Sequence, residues 1–217
     1  MTARSSAARP AVKKVLNAIS MLLVSPAALT CWISEALLRS GGAFAFWTHV
    51  CALLPGPPGM FLRRAFYRWT LQSCAEDVTI EFGAVISRRR AVLESGVYVG
   101  AYALIGWAWV KRNTLIGSRV SLLSGGHQHE MAPSGEWTPT DSSRLKQIVV
   151  GPNLWVGEGA ILMADVGAGC MVAAGAVVAA AIPDGIMVAG NPARFVRRVM
   201  PERADEVSDA VAVPAVR

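Results

Sequence analysis

Two of the chain's three histidines, His127 and His129, stand two positions apart in the segment LLSGGHQHEMAPSG at residues 122–135. Imidazole titrates near physiological pH, so either side chain could act as a general acid or base. The His-x-His spacing can also bind a metal ion, but the region after residue 76 offers only two histidines, and we expect no metal. A loop histidine that merely satisfies backbone groups is the third interpretation, and the residues alone leave the choice open.

The two histidines interrupt a six-residue repeat. Aliphatic residues followed by glycine recur on both sides of them, and Ile80, Ile86 and Val92 keep the same step of six. A period of two indicates a half-buried strand and a period of 3.6 a helix, so six residues predict a solenoid with three flat sides and one inward aliphatic residue on each side. Glycine then serves the tight corner. The pairs are Val99-Gly100, Ile105-Gly106, Ile116-Gly117, Val150-Gly151, Val156-Gly157 and Val166-Gly167.

The repeat is broken at three places. Val110 keeps step only if one residue is dropped after Ile105, and the step from Leu162 to Val166 is four residues. The longest break is the loop 123–147, which is rich in Ser, Pro, Gly and Asp. A loop of about 25 residues leaving a compact solenoid is typical of a functional or disordered segment.

A family resemblance is carried by these steps together with IVVGPNLWVGEGAIL (148–162), VAAGAVVAAAIPDG (172–185) and VAGNPARFV (188–196). The sequence resembles the hexapeptide-repeat acyltransferases, closest in pattern to the exopolysaccharide and sugar O-acetyltransferases, over about residues 78–199. The expected fold class is therefore mainly β, a left-handed parallel β-helix with an apolar N-terminal helical segment and a short C-terminal helix. The resemblance also implies a homotrimer that uses acetyl-CoA as co-substrate.

The resemblance assigns the catalytic base to the start of the loop. His127, in the Ser-Gly-Gly-His step, matches the base histidine of the family, and His129 is the second candidate or a substrate-binding residue. Imidazole suits this step because an attacking hydroxyl must lose its proton and the departing thiolate must gain one. Three acidic residues of the loop could orient the imidazole, and the sequence does not choose among them. They are Glu130, Glu136 and Asp141.

Coenzyme A is expected, from the resemblance, in a groove between neighbouring β-helices. Trp155 could pack against it or be a structural aromatic of the trimer face. The small corner residues Ala174 and Gly175 would let the pantetheine arm approach the backbone. Arg194 and Arg197 suit its phosphates, and with Arg198 they could equally form the solvated face of a C-terminal helix. A lysine common in the family is replaced by the alanines at 179–181.

The N-terminal third carries the whole positive excess of the chain. Residues 1–75 hold eight basic residues against Glu35 alone, a net charge of +7, whereas the full chain has +6. Residues 15–34 and 40–62 are uncharged and apolar, although Pro26 and the PGPPG run at 55–59 interrupt them. We expect a helical pair lying in the headgroup region of a membrane, with basic residues on anionic lipid. A soluble helical cap on the β domain is the alternative.

The remaining features exclude several functional classes. The four cysteines show neither CxxC nor metal-ligand spacing and read as reduced, buried residues. The basic region is apolar rather than a stripe with stacking aromatics, so nucleic acid is not an expected partner.

The sequence predicts three parts: a membrane-associated helical segment (1–75), a β-helix acyltransferase domain with its loop (76–200) and a flexible tail (201–217). The resemblance implies acetyl transfer to a saccharide hydroxyl, with a lipid-linked exopolysaccharide precursor as the expected acceptor at the cytoplasmic face of the membrane. Two alternatives remain. One is a soluble acetyltransferase of a small hydroxyl or amine acceptor, and the other is a non-catalytic β-helix scaffold at the membrane.

Overall fold

The computed structural model describes residues 4–124, 129–138 and 145–199. Three helices come first: α1 (Arg4–Leu38), α2 (Gly42–Ala52) and α3 (Gly56–Thr70). Short strands follow. They are β1 (Ser73–Cys74), β2 (Thr79–Ile80), β3 (Val85–Ile86), β4 (Val92–Leu93), β5 (Tyr98–Val99), β6 (Leu104–Ile105), β7 (Ala108–Val110), β8 (Leu115–Ile116), β9 (Ser121–Leu122), β10 (Ile148–Val150), β11 (Trp155–Val156), β12 (Ile161–Leu162), β13 (Met171–Val172), β14 (Val177–Val178), β15 (Ile186–Ala189) and β16 (Arg194–Arg198).

The strands up to β15 form the three sides of a parallel β-solenoid. Sheet 1 has the order β1-β4-β7-β10, sheet 2 the order β16-β15-β13-β11-β8-β5-β2, and sheet 3 the order β14-β12-β9-β6-β3. Strands pair with the strand one full coil later; for example, Val85 pairs with Leu104. The predicted three-sided solenoid is confirmed.

The core of the solenoid is a row of aliphatic side chains on each side. In the two-residue strands β2 to β6, the second residue is buried, as Ile80, Ile86 and Val99 are. One predicted position is wrong, because Leu93 is buried and Val92 is only half-buried. The corner at 87–91 is one residue longer than the step of six allows. Each fully buried Val, Leu or Ile contributes about 1.5–3 kcal/mol.

Glycine follows the inward residue because successive coils approach closely there. A Cβ added to Gly157 would lie 2.4 Å from the backbone nitrogen of Ala174, on the next coil. The left-handed backbone conformation occurs at other corner positions, such as Asn113 and Asn153. The prediction that these glycines serve tight turning is therefore wrong, because what requires them is the contact between coils.

The irregular coils occur where the sequence departs from its period. The short step from Leu162 leaves room for a single bridge at Val166 in place of a strand, pairing with Val150 below and Ile182 above. At the shortened step after Ile105, β7 is three residues long and buries both Ala108 and Val110. Sheet 1 thus continues through the upper coils as isolated bridges.

Helices α2 and α3 cap the first coil of the solenoid. Arg63 is 1% exposed and donates from Nε to the carbonyl of Ile80 at 3.0 Å. Arg64 donates to the carbonyl of Val78 at 3.1 Å, and the fully buried Tyr67 hydroxyl accepts the Ile86 N–H at 2.9 Å. These side chains form hydrogen bonds with backbone groups that would otherwise be unpaired at the edge of the first coil.

Helix α1 has a narrow buried stripe and a wide exposed apolar surface. It continues through Pro26, and the hydroxyl of Ser25 donates at 2.8 Å to the carbonyl of Leu22, which Pro26 cannot reach with an N–H. The segment Val12–Leu38 is long and apolar enough to cross a membrane, and 22% of its most apolar window is buried. The buried stripe is Ser20, Val24, Ala27, Ala28 and Cys31.

The upper end of the solenoid closes with an antiparallel strand. β16 folds back on β15 in the register Met187 with Arg197 and Ala189 with Arg194. A helix at Arg194–Arg198, offered as one reading of these arginines, is therefore wrong, because the free edge of β15 is paired by a strand containing Phe195 and Val196. The tail 201–217 lies outside the described residues, and the domain boundary at 75/76 stays a prediction.

Candidate active site

The loop between β9 and β10 leaves the solenoid where sheet 3 turns into sheet 1, an edge we call the loop edge. Ser124, 4% exposed, fixes the root of the loop. Its hydroxyl accepts the N–H of Trp107 at 2.7 Å, and its carbonyl accepts the N–H of Lys146 at 3.0 Å. A Cβ on Gly106 would lie 2.6 Å from the Ser124 hydroxyl oxygen. The two ends of the loop are therefore held together at one point.

Residues 129–138, in the middle of the loop, fold back on themselves. Met131 and Trp137 form an antiparallel bridge, and the N–H of Glu130 donates to the Thr138 hydroxyl at 3.0 Å. Nδ1 of His129 lies 2.9 Å from the carbonyl oxygen of Thr138. Since a carbonyl oxygen only accepts, Nδ1 carries the proton, and this contact braces the loop.

The predicted base, His127, lies outside the described residues, as does Asp141. The other candidate orienting residues, Glu130 and Glu136, are exposed on the hairpin-like part of the loop. The catalytic assignments to His127 and His129 stay predictions.

Trp155 lies on the outer face of sheet 2, in a row of exposed apolar side chains. It pairs in register with Leu115 on one side and Met171 on the other, and Leu115 pairs with Tyr98. Trp155, Leu115 and Tyr98 are 53%, 49% and 37% exposed. The row continues through Met187 to Arg197 in β16. At about 4.8 Å per strand, the backbones of Trp155 and Arg197 are about 14 Å apart.

Ala174 and Gly175 lie at the corner between sheets 2 and 3, near Arg194. Both are exposed, and Gly175 adopts a φ of +69° with no atom near its missing Cβ. The turn before β16 lies over this corner, because the N–H of Ala193 donates to the carbonyl of Val177 at 2.8 Å. Small corner residues and an exposed arginine therefore share the end of one solenoid edge.

The structure brings some predicted residues together and separates others. Ala174, Gly175 and Arg194 share the edge between sheets 2 and 3, and Arg197 shares the outer row of Trp155. The root of the loop, at Ser124, lies on the loop edge instead. One chain thus presents the loop root and the small-residue corner on two different edges.

Sequence reasoning missed a stack of side chains along the loop edge. The guanidinium of Arg90 lies 3.7 Å from the centre of the Trp107 ring, and the backbone of Trp107 contacts Ser124. The indole Nε1 of Trp107 is buried and has no hydrogen-bond partner among the residues that the structure describes. These three residues follow one another at a step of 17, about one coil, which is the signal that identifies them.

The cysteines are unsuited to nucleophilic chemistry. All four are free thiols. Burial raises the pKa of Cys170, whose thiol donates to the carbonyl of Pro183, and raises the pKa of Cys74 to about 12. Both thiols are therefore protonated near neutral pH. Within residues 4–124, 129–138 and 145–199, no group of three or more His, Cys, Asp or Glu residues is placed to hold a metal ion.

Comparisons with solved structures match the solenoid. A maltose O-acetyltransferase from Clostridium difficile 630 has 16% identity and a TM-score of 0.56, covering 73% of this chain and 86% of that one. A galactoside acetyltransferase, solved in complex with coenzyme A, has 18% identity and a TM-score of 0.54, covering 72% and 80%. The chain has the fold of these sugar acetyltransferases. The expected β-helix class is confirmed at the level of the fold.

A third match is partial. The acetyltransferase domain of PglB from Neisseria gonorrhoeae FA1090 is 27% identical with a TM-score of 0.43, covering 55% of this chain and 48% of that one. The chain thus spans about half the length of that solved domain. No protein-family model matches the sequence, and no curated protein matches it.

Proposed function

We propose that the protein is an acyltransferase that moves an acetyl group from acetyl-CoA to a saccharide hydroxyl. The observation that carries this proposal is the histidine-containing loop, rooted on one edge of a solenoid that shares its fold with two sugar acetyltransferases. One of those two enzymes was solved with coenzyme A. The high pKa of the buried thiols supports direct transfer without a covalent cysteine intermediate.

His127 is the general base of the proposed reaction. It accepts the proton of the acceptor hydroxyl as the oxygen attacks the thioester carbonyl, and the imidazolium then protonates the departing thiolate. Backbone N–H groups at the solenoid edge stabilise the tetrahedral oxyanion. His129 braces the loop through its contact with Thr138, which suits a positioning role.

Coenzyme A, in this proposal, lies between two subunits of a homotrimer. The apolar row of Trp155 faces a neighbouring chain and packs on the pantetheine arm, with Ala174 and Gly175 close to it. Arg194 and Arg197 bind phosphate groups. The loop root and this corner lie on two different edges of one chain, which supports a trimer in which the loop of a second copy supplies the histidine.

Mixing of variants tests the shared site. His127→Ala and the double variant Trp155→Ala/Arg194→Gln should each be inactive alone. Mixed assemblies of the two should regain about a quarter of wild-type activity, the random chance that a site receives both intact halves. If verified mixed trimers do not recover activity, that result contradicts a site between subunits.

The acceptor, in this proposal, is a lipid-linked exopolysaccharide precursor at the cytoplasmic face of the membrane. The support is α1, whose apolar side chains are mostly exposed between Lys13 and Lys14 at one end and Arg39 at the other. A large exposed apolar surface is typical of a protein or membrane interaction site. Soluble small acceptors would need no such surface.

Thiol release from acetyl-CoA is the test of the activity. Full-length protein should release coenzyme A when a membrane extract containing lipid-linked glycans is added, and little without it. Release with simple soluble sugars alone would favour the soluble acetyltransferase, a reading that the capping of the first coil by α2 and α3 also allows. If the protein shows neither thiol release nor coenzyme A binding, the non-catalytic scaffold is the remaining interpretation.

A further inference from the structure

A cleft opens between the end of α1, the α1–α2 turn and the corner that joins β3 to β4. It encloses about 470 Å³. This corner is the one that is a residue longer than the repeat requires, and it contains three consecutive arginines. Its lining includes Glu35, Arg39, Ser40, Ser87, Arg88 and Arg89.

One arginine of the cleft, Arg89, is already paired with other groups of the protein. Arg89 forms an ion pair with Glu35, donates from Nε to the carbonyl of Thr70 at 3.0 Å and lies 4.3 Å from the centre of the Trp32 ring. It ties α1 to α3 and the first coil. Glu35, the cleft's acidic residue, is thereby neutralised.

Two arginines remain for a ligand. Within the described part of the chain, the guanidinium groups of Arg39 and Arg88 make no hydrogen bond or ion pair, and both residues are exposed. Arg39 has a φ of +48°, a conformation that favours glycine at a helix end. The cleft therefore has two unpaired cations beside the hydroxyls of Ser40 and Ser87.

The surroundings indicate where the ligand comes from. Leu37 and Leu38, directly before Arg39, are 76% and 73% exposed and belong to the apolar surface of α1. A phosphate in the cleft would thus lie at the boundary between an apolar layer and water, where the headgroups of a bilayer lie.

The cleft also lies on the same edge as the candidate active site. Ser87 N–H donates to the carbonyl of Ile105, and Gly106 N–H donates to that of Leu122, so the corners at 87–91, 106–107 and 123–124 are stacked. Two coil spacings separate the arginine corner from the loop root, about 10 Å.

We infer that this cleft binds the phosphate group of a membrane lipid, through Arg39 and Arg88. Resting on the proposed function, the inference names the acceptor class: a saccharide carried on a lipid phosphate, whose phosphate is held about two coils from the loop root. A free phosphate ester offers the same chemistry, and the experiment separates the two sources.

Co-flotation of the full-length protein with vesicles tests the inference. The variants are Arg39→Gln/Arg88→Gln and a charge-matched control, Arg112→Gln/Arg119→Gln, whose arginines lie on the other two edges. Vesicles contain phosphatidylcholine alone or with phosphatidic acid. The cleft variant should lose about 25-fold in affinity for phosphatidic acid vesicles, about fivefold per arginine, and the control less than about threefold. Binding to neutral vesicles should be the same for all.

Equal binding of the wild type and the cleft variant to phosphatidic acid vesicles overturns the inference. If the cleft variant at the same time loses binding of inorganic phosphate, measured by calorimetry, the cleft is assigned to a soluble phosphate ester instead. Coenzyme A binding is measured separately, so its absence in the wild type contradicts the proposed activity and not the cleft.

Discussion

Apolar side chains are buried inside the solenoid and mostly exposed on α1. Ile80 and Ile86 in the solenoid are fully buried, whereas Leu22 and Leu37 on α1 are 74% and 76% exposed. Each coil hides its aliphatic row by stacking on the next coil. Helix α1 has only a narrow stripe against the protein, and most of its apolar surface is exposed. In our proposal, this exposed surface is the one that associates with the membrane.

The solenoid and the helical cap formed by α2 and α3 also differ in how backbone groups find hydrogen-bond partners. Coils pair with coils through main-chain hydrogen bonds, as Val85 N–H does with the carbonyl of Ala103. The helical cap uses side chains instead, chiefly those of Arg63, Arg64 and Tyr67. The catalytic role, in our account, belongs to the solenoid and its loop, and the membrane role belongs to the helices.

The largest expected effect is on catalysis. Replacing His127 by Ala should reduce kcat about 10²- to 10⁴-fold, because the proposed general base is lost. Steady-state thiol release measures it, with His49→Ala in α2 as the matched control. Near-normal kcat in His127→Ala would assign the base elsewhere.

The cap should be sensitive to its buried arginine. Arg63→Met removes the donor to the carbonyls of Ile80, Cys51 and Leu54, and should lower the free energy of unfolding by about 3 kcal/mol. Arg68→Met, on the same helix, should change it by less than about 0.5 kcal/mol. Equal denaturation midpoints for the two variants would show that the side-chain cap contributes little.

The solenoid should be sensitive to added volume between coils. Gly157→Ala places a methyl group against the backbone of Ala174 and should cost about 2 kcal/mol in unfolding free energy. Gly41 has no atom within 4 Å of its missing Cβ, and Gly41→Ala should change stability by less than about 1 kcal/mol. A reversed order of the two costs is incompatible with close coil contact.

The exposed surface of α1 should affect membrane binding and not stability. Leu22→Ser/Leu23→Ser should reduce affinity for neutral vesicles about tenfold, since apolar contact with the bilayer is lost. Thermal unfolding should be unchanged, because both side chains are exposed. Leu104→Ser, on the outer face of sheet 3, is the control. Unchanged vesicle binding in the α1 variant would favour the soluble cap.

The smallest effect concerns pH. The Ser95 hydroxyl and, more weakly, the Gly96 N–H donate to Asp77 and lower its pKa in the folded state. This stabilisation is present above the unfolded pKa and is lost as pH falls through the folded value. Asp77→Asn should remove that acid dependence, which contributes less than about 0.5 kcal/mol to the free energy of unfolding. Parallel stability curves below pH 5 for both proteins would argue against it.

Much of the solenoid could be predicted because its core rule is local. The step of six residues predicts that Ile80, Ile86 and Val99 are buried. The short steps at Val110 and Val166 predict where the coils are irregular. Val92 was misplaced because an insertion at a corner leaves no mark on the aliphatic pattern itself.

The cap and the arginine corner could not be read from the sequence. Arg63 and Arg64 belong to the basic residues of the N-terminal third, which we expect on anionic lipid, yet both are buried against carbonyls of the first coil. Their role depends on docking between distant elements, which no local period encodes. Family resemblance supplied His127, Trp155 and Arg194 as candidates, and their roles stay predictions.

Transfer of radiolabelled acetyl from acetyl-CoA into the organic-solvent extract of membranes tests the central claim most directly. Wild type and His49→Ala should label a lipid-linked saccharide, and His127→Ala should not. Label in the lipid fraction with His127→Ala at the wild-type rate, or label only in water-soluble products with the wild type, would contradict a His127-dependent transfer to a lipid-borne acceptor.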